Sequence, residues 1–256
     1  MSTESSMIAG DLPLTGERTV PGVPAENYWF RRHEVAYEFA VPLVTGRSVL
    51  EIGCGEGYGT ALLAASARRI LGVDYDALTA AHAAATYPQA RFVRANLAAL
   101  PVRSATADVV VSLQVIEHVW NHQEFLRECL RVLRPGGALL VTTPNRLTFS
   151  PGLDEPVNPF HTKEFTAEEL VTLLTACGFR IDAVYGLHAA DRLRSLDARH
   201  GGSFAQAQLA TPPAEWDEAL RREVRSVGTV DFTVLAADVH EVDESLDLLV
   251  LARRPR

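Results

Sequence analysis

Four glycines at alternate positions, Gly53, Gly55, Gly57 and Gly59, follow the acid Glu51. Glycine lets the backbone take positive φ and lets a ligand lie against the main chain with no Cβ between them. A second apolar run, Ile70-Leu71-Gly72-Val73, ends in Asp74. An acid at that place, roughly 20 residues beyond the glycines, can hold both hydroxyls of a ribose. A third apolar run ends in Leu113-Gln114-Val115-Ile116-Glu117-His118. Imidazole beside carboxylate can move a proton or hold a cation.

These residues need strands that end at one edge. Residues 48–53, 69–74, 91–94, 107–112 and 138–142 read as apolar strands, separated by helical patterns over 57–67, 77–87 and 121–133. Such alternation implies a parallel sheet with helices on both faces, and ligands bind at the carboxyl ends of its strands. Gln114, Glu117 and His118 then stand beside the glycine turn. Leu133-Arg134-Pro135-Gly136-Gly137 reads as a helix stop and turn. The helix-poor stretch 146–163, with Asn158-Pro159-Phe160-His161, reads as a lid, since so long a connection is uncommon unless functional. A helix follows from Thr166 to Cys177, with a capping box from Thr166 and Glu169, and then a strand from Phe179 to Tyr185. Segments 205–210 and 215–224 look helical, 231–236 is short and apolar, and 245–252 is a final strand.

The chain has 256 residues and a net charge of −8, enough for one large domain. The acidic balance argues against a nucleic-acid partner, which needs a basic footprint. No apolar run is long enough to span a bilayer, and no basic flank precedes an apolar leader, so neither membrane nor export is expected. Cys54, Cys129 and Cys177 lack metal-type spacing and read as reduced thiols of a cytoplasmic protein. Residues 1–26 read as a flexible arm and 27–47 as a helix covering the ligand. Residues 48–186 and 245–253 read as the core, and 187–244 as a substrate-side insertion within the same single domain. A homodimer is the expected assembly, although no segment marks an interface.

Glu51 with Gly53-x-Gly55-x-Gly57 resembles the first motif of the class I S-adenosylmethionine (SAM) methyltransferases. A dinucleotide dehydrogenase wants Gly-x-Gly-x-x-Gly, and position 58 is Tyr. The resemblance implies a Rossmann-like α/β fold, with a mostly parallel seven-stranded sheet whose antiparallel last strand inserts between strands five and six. It implies SAM contacts from Glu51, Gly53, Gly55, Gly57, Asp74, Tyr75, Asn96, Leu97 and Gln114. The resemblance places Asn96 and Leu97 on the adenine side, and implies that Arg32 or Arg31 meets the methionine carboxylate. Glu117 and His118 also resemble part of the E-x-x-E-H signature of metal-dependent O-methyltransferases, with His161 placed as the further ligand. Gln114 stands where that signature has its first acid, which puts the Mg²⁺ in doubt, because an amide oxygen brings no charge. Glu117, His118 and His161 are accordingly expected either as metal ligands or as catalytic groups, with a histidine taking the acceptor proton. His33, His82, His122, His188, His200 and His240 have no such context and read as core or surface residues.

Further segments are similar to one group, the sugar O-methyltransferases of methylmannose-polysaccharide synthesis. They are Thr15–Thr19, Glu26–His33, Thr148–Gly152, Asn158–Thr162, Asp197–Ser203 and Glu244–Leu248. That likeness implies methylation of the 1-hydroxyl of a short 3-O-methylated mannoside. The alternatives are a phenolic quinone precursor or an RNA 3′ end as acceptor, or a SAM-binding subunit without activity of its own.

Overall fold

The computed structural model describes residues 19–238 and 240–256. Most of the expected arm, residues 1–18 with Thr15-Gly16-Glu17-Arg18, lies outside the described residues. A long helix, α1 (Asn27–Val44), precedes β1 (Ser48–Ile52), which is buried along its whole length. The glycine turn follows, then α2 (Tyr58–Ala64) and β2 (Arg69–Asp74), parallel to β1. The same unit recurs as α3 (Ala77–Thr86), β3 (Arg91–Arg94), β4 (Ala107–Leu113), α4 (His122–Val132) and β5 (Leu133–Pro144). A short α5 (Arg146–Phe149) opens the lid segment, and α6 (Ala167–Ala176) carries the expected capping box of Thr166 and Glu169. The chain then forms β6 (Arg180–Ala189), α7 (Asp191–Arg199), α8 (Phe204–Leu209), α9 (Glu218–Ser226), β7 (Phe232–Ala236) and β8 (Asp247–Arg253).

The strands lie in the order β3-β2-β1-β4-β5-β8-β6-β7. Strand β8 is antiparallel to both neighbours, in the slot between β5 and β6. The sheet has eight strands rather than seven. Strand β6 runs on to Ala189, and its exposed flank from Tyr185 to Ala189 is covered by Ala236 to Phe232 of β7, running antiparallel. An uncovered edge invites pairing, and the apolar stretch 232–236 supplies it from within the chain.

Apolar side chains alternate between the two faces. Val49, Val109, Val111, Leu140 and Leu249 face one core with α1 and the segment 187–232. Leu50, Val110, Leu139, Val141 and Val250 face the other with α4 and α6. Burial on both faces is what makes these strands read as continuous apolar runs. The Leu133-to-Gly137 segment is not a free turn. Leu133 already pairs with Ala107, and the register shifts before Val109 pairs with Ala138, so the proline and glycines form a bulge inside β5.

Helix α1 is tied to the segment 187–232 by its first turn. The Asn27 side-chain amide donates to the carbonyls of Val224 and Val227, at 2.9 Å each, satisfying acceptors at the end of α9. Tyr28 packs edge-on to Trp29 and Phe204. No helix among the described residues is long and apolar enough to cross a membrane.

Candidate active site

The turn after β1 is shaped by backbone needs before any ligand is considered. Gly53 and Gly57 have φ of 80° and 100°, a region that disfavours side chains. A Cβ on Gly53 would lie 2.4 Å from Val115, and one on Gly57 would lie 2.7 Å from Ala83. Gly55, with φ of 53°, differs: a Cβ there would meet nothing within 4 Å. Its open side belongs to a cavity of about 1000 Å³. The Gly55 amide donates to Asp74 Oδ2 at 2.8 Å, and the Asp76 amide donates to Oδ1 at 2.9 Å. Asp74 thus braces the turn from the end of β2.

The cavity runs along the carboxyl ends of β1, β2 and β4. Gly53, Gly55, Asp74, Tyr75, Asn96, Leu97, Gln114, Arg32, Glu117, His118 and His161 all line it. Its size matches what encloses a nucleoside-sized ligand plus part of a second one. An open glycine face, an acid beside it and a volume of this order fit SAM.

Glu51 and Gly57, both expected at the cofactor, do not line the cavity itself. Glu51 is 1% exposed and accepts from Tyr37 Oη at 2.7 Å and Thr60 Oγ1 at 2.5 Å. Its role is to tie β1 to α1 and α2 beneath the turn. Gly57 is pressed against Ala83 and Phe92 and only shapes the turn. Burial pushes the Glu51 carboxyl up to about 7, against the two hydroxyl donors, which pull it down. An acid held neutral by the fold, but ionised near 4.5 when unfolded, favours the native state at low pH. That contribution is lost as pH rises from about 4.5 toward 7, and amounts to about 3 kcal/mol across that window. Denaturant titrations from pH 5 to 7.5 should show stability falling with pH, and Glu51→Gln should flatten the slope. An unchanged slope in the variant would exclude Glu51 as the cause.

Arg32 has a fixed structural partner. Its Nε donates to Asp247 Oδ2 at 2.7 Å, and its Nη2 donates to Asp247 Oδ1 and the Leu246 carbonyl at 2.6 Å. It joins α1 to the start of β8 at the cavity wall. Arg31 does not line the cavity and pairs with Glu34. Asn96 lines the cavity while its Oδ1 accepts from the Ala98 amide at 2.9 Å.

Gln114 has a φ of 56°, a strained value for a residue with a side chain. Its amide is held by Thr142, through the carbonyl at 3.0 Å and Oγ1 at 3.1 Å, and its Nε2 donates to the same Oγ1 at 3.2 Å. Three residues on, Glu117 is 1% exposed, and Thr143 Oγ1 donates to its Oε2 at 3.0 Å. Burial pushes this carboxyl up to about 8, with Asp247 and Glu164 adding to the rise.

His118 Nδ1 is 3.0 Å from the Phe160 carbonyl. A carbonyl only accepts, so Nδ1 carries the hydrogen and Nε2 is the acceptor nitrogen of the neutral ring. The lid places His161 against it, with ring centroids 4.8 Å apart and nearly perpendicular. His161 Nδ1 is 2.8 Å from Glu164 Oε1, and its Nε2 is 3.1 Å from the Asn158 amide nitrogen. The ring therefore donates from Nδ1 and accepts at Nε2. The lid is pinned by Thr162, whose amide donates to the Glu117 carbonyl at 2.6 Å and whose Oγ1 donates to the Val119 carbonyl at 2.8 Å. One ligand atom each from Glu117, His118 and His161 lie within 4.8 Å of one another.

Several lining or supporting groups went unnoticed in the sequence. Glu164 is 3% exposed, orients His161, and keeps Oε2 buried with no hydrogen-bond partner. Its spacing of three residues from His161 was the available signal. His33, read as having no context, lines the cavity with Thr19 Oγ1 3.3 Å from its Nδ1. Burial holds its imidazole down to about 4. Tyr37, Thr60 and Trp120 carried no local signal.

A family model for a methyltransferase domain matches residues 50–141. The chain is 52% identical over 257 residues to a probable S-adenosylmethionine-dependent methyltransferase of Mycolicibacterium smegmatis, with 100% of both chains covered. A probable S-adenosylmethionine-dependent methyltransferase of Mycobacterium tuberculosis is 52% identical over 247 residues, covering 95% of this chain and 90% of the relative. Among solved structures, an S-adenosylmethionine-dependent methyltransferase from Mesorhizobium loti superposes with a TM-score of 0.59 at 20% identity, covering 89% of this chain and 100% of that one. That likeness speaks for the fold alone. The names of these relatives specify the methyl donor and no acceptor.

Proposed function

This chain belongs to the S-adenosylmethionine-dependent methyltransferases, and on that premise we propose that its acceptor is a saccharide hydroxyl, the 1-hydroxyl of a short 3-O-methylated mannoside. The observation that carries this reading is the convergence of Glu117, His118 and His161 in the same cavity as the glycine turn. A sugar hydroxyl is a poor acid and needs a base or a cation beside it, whereas a phenol reacts with less help. The segments similar to the sugar O-methyltransferases also supply much of the cavity wall: Trp29, Arg32 and His33 from Glu26–His33, Phe149 from the lid start, and Asn158 to His161 from its end.

Methyl transfer is an in-line displacement at carbon. The acceptor oxygen bonds to the methyl group as the carbon–sulfur bond breaks, its electron pair returning to sulfur. The chain aligns the two reactants and removes the acceptor proton. His161 Nε2 takes that proton in place of its contact with Asn158. Glu164 holds Nδ1–H and stabilises the imidazolium that forms. Asp74, braced by the Gly55 amide, would hold the donor's ribose hydroxyls, and Gln114 is fixed by Thr142 in the cavity wall.

The same three residues favour a second reading, a cation site. Two imidazoles and one carboxylate would suit a divalent ion that accepts nitrogen ligands, Mn²⁺ more readily than Mg²⁺, which prefers oxygens. A cation held there by Glu117, His118 and His161 would supply charge to stabilise the acceptor alkoxide. Labelled SAM offered with mannosides, phenols and RNA 3′ ends tests the acceptor. Transfer to a phenol or RNA end, with none to any mannoside, would refute the saccharide. A chelator that abolishes turnover, with recovery on Mn²⁺ or Mg²⁺, selects the cation over the base; undiminished turnover selects the base.

A further inference from the structure

Trp120 follows Glu117-His118-Val119 directly, lines the cavity and is 90% exposed. Its backbone is not loose. Thr162 Oγ1 bonds the Val119 carbonyl at 2.8 Å, and Asn121 Oδ1 accepts from the Glu124 amide at 3.1 Å to cap α4. An indole left almost bare on an anchored segment is rare, because Trp is usually well buried. It also has company. Of the nine exposed large apolar side chains among the described residues, five (Tyr75, Trp120, Val157, Phe160 and Leu209) line this one cavity. Exposed apolar surface gathered around a cavity marks a binding surface. Phe160, 42% exposed, belongs to the lid segment whose carbonyl holds His118, so two aromatic rings sit on the two segments that frame the histidines.

Resting on the saccharide reading above, we infer that Trp120, with Phe160 on the neighbouring segment, is a stacking platform for the acceptor's pyranose ring and sets specificity for a methylated sugar. The face of an aromatic ring carries partial negative charge and attracts C–H groups of partial positive charge. A pyranose presents C–H groups on its faces and hydroxyls on its edge, and a 3-O-methyl ether adds apolar surface. Asn158, His161 and Gln114 lie in the wall beside the rings. They offer polar groups to a ligand with a polar edge, which an acyl chain lacks.

The test compares wild type, Trp120→Ala and Trp120→Phe with the 3-O-methylated mannoside varied at saturating SAM. Trp120→Ala is expected to raise KM for the mannoside about tenfold. Trp120→Phe should retain most of the affinity, with kcat, SAM affinity and Tm little changed in both. The demethylated cofactor product, bound first, permits a second readout: mannoside addition should shift wild-type indole emission, and the shift should be clearly smaller in Trp120→Phe, where Trp29 still lines the cavity. An unchanged KM in Trp120→Ala overturns the platform. Wild type that methylates no mannoside overturns the saccharide reading and this inference with it. A phenolic or acyl acceptor whose KM rises in Trp120→Ala overturns the sugar as occupant.

Discussion

His161→Ala is expected to lower kcat by about 10²–10⁴-fold, the range for losing a positioned general base. SAM affinity should hardly move, because the glycine turn and Asp74 belong to the ends of β1 and β2 and not to the lid. The size of the effect follows from how fully this imidazole is committed. Glu164 fixes its tautomer at 2.8 Å, Asn158 meets its other nitrogen, and the pinning of Thr162 to the carbonyls of Glu117 and Val119 holds the segment in place. Glu164→Gln keeps the shape but can no longer stabilise an imidazolium, and should cost about ten- to hundredfold in kcat with KM for the acceptor little changed. A structural role alone would lower Tm and disturb KM and kcat together. His161→Ala with near wild-type turnover, with and without chelator, would return this histidine to an ordinary loop residue.

The parts of the site that were legible in the sequence are those fixed by backbone geometry. Alternate glycines mark a turn with positive φ whatever surrounds it, and Gly53, Gly55 and Gly57 all adopt it. The apolar runs that place Asp74 and Glu117 at strand ends are legible because a parallel sheet buries both faces. What was not legible depends on partners far along the chain. Glu51 reads as a ligand residue until Tyr37, on a helix 14 residues earlier, takes one of its oxygens. The fit of β7 to β6 depends on how far β6 extends, which no local pattern fixes. The bulge at Pro135 and Gly136 looks like a turn because the same residues serve both. Trp120 shows the limit most plainly: its type suggests core, and only its surroundings expose it.

Asp74→Ala is expected to weaken SAM binding by about 10²–10⁴-fold, since two hydrogen bonds to a charged acceptor are worth about 1.5–3 kcal/mol each. Part of that loss comes before any ligand arrives. Asp74 accepts from the Gly55 and Asp76 amides, so the truncated turn loses the brace that holds its open glycine face. Asp74→Asn separates the two contributions. Its one oxygen can keep the Gly55 amide while the charge toward the ribose is gone, so its affinity should fall between wild type and Asp74→Ala. At saturating SAM, kcat should recover substantially in both variants, because the groups that handle the acceptor proton are in the turn after β4 and in the lid. Calorimetry with SAM and its demethylated product reads the affinities, and single-turnover rates read the chemistry. Binding by Asp74→Ala within about twofold of wild type would overturn the ribose assignment. A collapse of kcat at saturating SAM would instead place Asp74 among the groups that align the transferred methyl, because a residue that only binds the ground state should change affinity and spare the chemical step.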